Sequence, residues 1–83
     1  MASQQVVIDV PEQILVAEKT DAQGFGREMR MLTAVKLYEL GRLSSGRAAE
    51  LAGVARLEFL RRLGDYRVFP LQSELQDLEG AHG

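Results

Sequence analysis

Arginines dominate the residues able to do chemistry in this chain, and they are concentrated in one stretch. Arg42, Arg47, Arg56, Arg61, Arg62 and Arg67 lie within residues 42–67, which hold only three acids, Glu50, Glu58 and Asp65, for a net charge of +3. Guanidinium groups suit phosphate oxygens, which they meet with planar, paired donors. The two ends have the opposite sign. Residues 1–26 set Lys19 against Asp9, Glu12, Glu18 and Asp21, residues 68–83 carry Glu74, Asp77 and Glu79 with no base, and each end stands at −3. Residues 27–41 add +1, so the total of −2 hides a basic centre between acidic ends. For a polyanionic partner such segregation matters more than the sum.

Other chemistry is poorly supplied. Cysteine is absent, which excludes disulfides, thiolate zinc sites and cysteine nucleophiles. The single histidine, His82, stands beside the last residue, and neither a catalytic triad nor a two-histidine metal site can be assembled from it. Ser44 and Ser45 have no neighbouring base, the carboxylates are scattered, and no glycine-rich phosphate loop follows a strand. The expectation is therefore no catalysis, no metal and no cofactor. The opening Met1-Ala2-Ser3-Gln4-Gln5 lacks the basic start and apolar run of a signal peptide, and no stretch reaches membrane-spanning length. A cytoplasmic location away from membranes is expected.

The arginines need elements to aim them, and the segment between Leu43 and Leu63 predicts two short helices joined by a sharp turn. Ser44 or Ser45 is placed to cap the first helix. Ala48, Ala49 and Ala52 are small enough for two helices to approach closely at a steep angle. Gly53 supplies a residue tolerant of positive φ at the turn. Val54 follows as an apolar plug, and Phe59 and Leu63, one helical turn apart, face back into the core. The pattern is that of a helix-turn-helix, in which the second helix enters the major groove and neighbouring basic and hydroxyl groups hold phosphates. On that reading Arg42, Ser45, Arg47, Arg56, Arg61 and Arg62 form the DNA-binding set. Leu57 and Leu60 leave few polar groups for reading bases, which keeps open an alternative: an interaction module whose helix-turn-helix is architectural and binds no DNA. Ala55 stands where a capping hydroxyl belongs at the start of the second helix, with Glu58 as the other half of a capping box.

The remaining elements follow from periodicity. Val6, Ile8 and Val10 share one face with Asp9 on the other, predicting a short strand that Pro11 ends. Pro11 to Thr20 reads as a short helix with Glu12 at its positive end. Ala22 to Leu40, capped by Asp21 and ended by Gly41, is predicted as the longest helix. It carries two apolar stripes: Phe25, Met29, Leu32 and Leu40, and Met31, Ala34, Val35 and Tyr38. One can serve the local core and the other a partner chain, or both can be covered within one domain. The lone strand also needs a partner for its edge. Two are open to it: the same strand from a second chain, or the run Arg67-Val68-Phe69-Pro70-Leu71. In the tail, Ser73 and Gln76 form a capping box, and Leu71, Leu75 and Leu78 recur at helical spacing. That segment is a candidate partner-binding helix, although packing on its own dimer is equally open to it.

Eighty-three residues make one small domain with a modest core, for which a second copy is a reasonable expectation. The fold expected is mainly α: a short N-terminal strand and a helical domain with a central helix-turn-helix, assembled as a dimer. Its parts are residues 1–20, a dimerising strand and short helix; residues 21–66, the helix-turn-helix domain; and residues 67–83, an extension with a short acidic helix.

With these residues assembled, the chain resembles uncharacterised protein family 0175, short prokaryotic proteins described as predicted antitoxins with a helix-turn-helix. The resemblance rests on Asp9-Val10-Pro11-Glu12, on Arg27-Glu28-Met29-Arg30, on the run from Ala34 to Gly46, and on Ala48-Ala49-Glu50-Leu51-Ala52-Gly53-Val54 with Glu58-Phe59-Leu60. It implies a DNA-binding transcriptional regulator that also binds a toxin, a nuclease of the PIN-domain type. The family usually has serine where Ala55 stands.

Overall fold

Asp21 opens the helix on which the rest is built, its carboxylate accepting from the Gly24 N–H at 2.8 Å. That helix, α2 (Ala22–Glu39), follows a shorter α1 (Glu12–Ala17) and precedes α3 (Ser45–Ala52), α4 (Arg56–Arg62) and a closing 3-10 turn (Leu63–Tyr66). A computed structural model of the chain describes residues 3–70. Leu71, Leu75, Leu78 and the expected tail helix lie outside the described residues.

The helices end where their caps dictate. At the close of α2, Gly41 takes φ +75°, the Gly41 N–H donates to the Tyr38 carbonyl at 2.9 Å and the Arg42 N–H to the Leu37 carbonyl at 2.8 Å. This paired closure satisfies carbonyls that would otherwise be orphaned. The same pattern ends α1 at Lys19 (φ 55°) and the 3-10 turn at Arg67 (φ 59°), two positions without glycine. The left-handed Lys19 is why α1 stops at Ala17, before the expected Thr20.

Of the two stripes on α2, one makes the core. Met31, Ala34, Val35 and Tyr38 are buried and pack with Ala48 and Ala49 of α3, Phe59 and Leu60 of α4, Leu63 and Val68. Tyr38 and Phe59 meet edge to face with ring centroids 5.7 Å apart, a favoured aromatic geometry. Val68, expected in the extension, closes this core, its N–H donating to the Leu63 carbonyl at 3.1 Å. The other stripe is partly or wholly uncovered: Phe25 and Met29 are half-buried, and Leu32 and Leu40 are exposed.

The strand over Val6–Val10 does not form: no strand occurs among the described residues, and residues 3–11 are irregular. The physical reason is the absence of a partner edge among the described residues. Of the alternative run Arg67–Leu71, the described residues 67–70 are committed elsewhere, with Val68 turned into the core. A strand without a ladder has unsatisfied backbone groups and no reason to persist as one.

Candidate nucleic-acid interface

Two adjacent serines at the start of α3 do different work. Ser44 is the cap, its hydroxyl accepting from the Arg47 N–H at 3.2 Å. Ser45 is buried, at 3% exposure, and its Oγ accepts from Arg56 Nε at 2.9 Å. The first residue of α3 is thereby tied to the first residue of α4. Ala55 caps α4 with no side-chain hydrogen bond, so the Arg56–Ser45 bond fixes the helix start where a capping hydroxyl would otherwise do so.

The turn between α3 and α4 depends on Gly53, at φ +76°. Its N–H donates to the Glu50 carbonyl at 3.1 Å and the Val54 N–H to the Ala49 carbonyl at 3.1 Å. Arg30 of α2 reinforces this end of α3, donating from Nε to the Leu51 carbonyl at 2.8 Å. A cation at a helix C-terminus also meets the negative end of the helix dipole favourably. No local spacing in the sequence links Arg30 to Leu51, so the sequence alone does not mark it as a structural residue.

α4 is two-sided. Phe59 and Leu60 are buried, joined by Leu63 below, while Leu57, Glu58 and Arg61 are exposed and Arg62 is half-buried. Arg61 follows Glu58 by three residues and Leu57 by four, so it shares the outward side of α4 with both. Arg47 is exposed on α3 and pairs with Glu50 at 3.2 Å, both side chains largely in solvent, where such a pair adds little stability. Arg42 is exposed in the connection between α2 and α3.

The structure thus brings Ser45 and Arg56 into direct contact, leaves Arg42, Arg47 and Arg61 in solvent, and half-covers Arg62. Ser45, expected at the surface, faces inward, because Ser44 takes the cap and the next residue rotates toward α4. Among the described residues no group of three or more His, Asp or Glu side chains is arranged to hold a metal ion. No helix among them is long and apolar enough to cross a membrane.

No curated protein and no solved structure matches the chain. A family model does, over residues 1–80. The match covers the α2, α3 and α4 arrangement together with the N-terminal segment and most of the tail, and by it the chain belongs to the uncharacterised protein family UPF0175.

Proposed function

We propose that this chain is a DNA-binding regulator in which α3 and α4 act as a helix-turn-helix, with α4 as the helix that enters the major groove. One observation carries the reading: α4 buries Phe59 and Leu60 and turns Arg61 outward, beyond a turn at left-handed Gly53. A short helix anchored on one face, with an arginine exposed on the other, suits groove insertion. Arg61, Arg62, Arg47 and Arg42 serve as phosphate contacts in this reading. Arg56, held by Ser45, marks the leading end of α4. Ser45 positions Arg56 and makes no contact of its own with DNA.

The family resemblance adds a second role, that of an antitoxin bound to a PIN-type nuclease. Residues 72–83, with Leu75 and Leu78, are proposed as its docking segment together with Leu71, and their carboxylates suit a basic or metal-containing centre. A competing reading draws support from Leu57, 37% exposed on the outward arc beside Glu58. An apolar residue there suits a protein surface, making the chain an interaction module with no DNA partner.

Both readings are tested with the full chain. Binding at low salt to duplex DNA from upstream of its own gene is expected, and no binding there removes the DNA reading. Co-expression with the neighbouring gene product is expected to give a complex that survives Arg61→Ala/Arg62→Ala and is lost on deleting residues 72–83. A complex that survives that deletion contradicts the assignment of the tail.

A further inference from the structure

The N-terminal segment and the outer stripe of α2 form an incomplete apolar site. A groove of about 510 Å³ opens between them, lined by Val6, Ile8 and Val10 on one wall and by Phe25 and Met29 on the other. The alternating face therefore does turn toward α2, as a strand covering a helix would. Yet it covers α2 poorly: Val6 remains 82% exposed and Ile8 56%, and Val7 on the reverse face is 88% exposed. Val6 and Ile8 thus keep much of their apolar surface in solvent at the mouth of a groove that is itself apolar, and scattered single residues do not account for such a patch.

We infer that a second copy of this chain completes the site, its Val6–Val10 segment pairing antiparallel with the same segment across a two-fold axis at Ile8. Three observations choose this occupant. The segment has strand periodicity, and among the described residues no segment pairs with it. Pro11, which has no N–H to donate, ends the ladder after Val10. An axis at Ile8, the centre of the span Val6–Val10, sets the antiparallel register. In that register Val6 faces the partner's Val10, and Asp9 faces the partner's Val7, so the two like charges are kept apart. The paired strands present Val6, Ile8 and Val10 from both copies to one side, where the second set fills the groove over Phe25 and Met29. The ribbon also pairs backbone groups of this segment that have no strand partner among the described residues. This inference does not depend on whether α4 meets DNA.

The absence of native cysteine allows a direct test. Residues directly opposite in an antiparallel pair have Cα atoms about 4.5–5.5 Å apart, within disulfide range. Under mild oxidation the full-length Ile8→Cys variant is expected to form a covalent dimer, whereas Val6→Cys, whose counterpart lies four residues along the ladder, is not. Ile8→Pro is expected to shift the sedimenting species from two chains to one while helical circular dichroism is retained, since residues 6–10 add nothing to the buried core. A wild-type chain that sediments as a monomer overturns the inference. So does a dimer that persists in Ile8→Pro or fails to cross-link through Ile8→Cys. A monomer obtained only on deleting residues 72–83, with Ile8→Pro still dimeric, would assign the interface to the tail instead.

Discussion

The guanidinium of Arg30 lies against Gly53, so close that a side-chain carbon at position 53 would stand 3.2 Å from Arg30 Nη2. The same arginine donates to the Leu51 carbonyl. Gly53 therefore answers two demands, a left-handed turn and room for the cation that closes α3. Gly53→Ala is predicted to destabilise the fold by about 1–2 kcal/mol, since a Cβ is disfavoured at that φ. In an Arg30→Ala background the cost should fall, because the crowding is gone and only the backbone penalty remains. Denaturant unfolding of the two single variants and the double variant measures this, and strictly additive effects would refute the coupling.

The Arg56–Ser45 bond should likewise be visible in stability. Ser45→Ala removes the hydroxyl from a buried position and from a charged donor, and is predicted to cost about 1–2 kcal/mol. Ala55→Ser restores a capping hydroxyl and is predicted to add about 0.5–1 kcal/mol. Thermal melts of each variant against wild type decide both, and a neutral Ser45→Ala would show that the bond does not anchor α4.

Lys19 occupies a left-handed position at the end of α1 without being glycine. The strain of a Cβ there is on the order of 1 kcal/mol. Lys19→Gly is predicted to stabilise the protein by somewhat less, because glycine also loses more freedom on folding. A lowered midpoint in chemical denaturation would count against that account of the helix end.

Much of the helical frame could be read from short-range signals. Asp21 and Gly41 bound α2, and Ser44 and Gly53 bound α3, because caps act within a few residues of the backbone they satisfy. Phe59 and Leu63 turned inward as their spacing required. What could not be read depends on partners distant in sequence. The choice of Ser45 for Arg56 follows from the packing of α3 on α4, and the Arg30–Leu51 bond from the packing of α2 on α3. The end of α1 gave no signal, since Lys19 has none of the residue types that mark a left-handed turn. The Val6–Val10 pattern is that of a strand, but periodicity records only which face is apolar; pairing needs a second edge that the described residues do not offer.

Contact between the outward face of α4 and DNA phosphates, as proposed, would show in the salt dependence of binding. With duplex DNA from upstream of the gene, the slope of log affinity against log salt should become shallower by about 2 in Arg61→Ala/Arg62→Ala, one step for each lost phosphate contact. Lys19→Gly, which removes a charge from the N-terminal segment, should leave the slope unchanged. A double arginine variant that remains folded and keeps the wild-type slope would show that α4 does not meet DNA through these arginines.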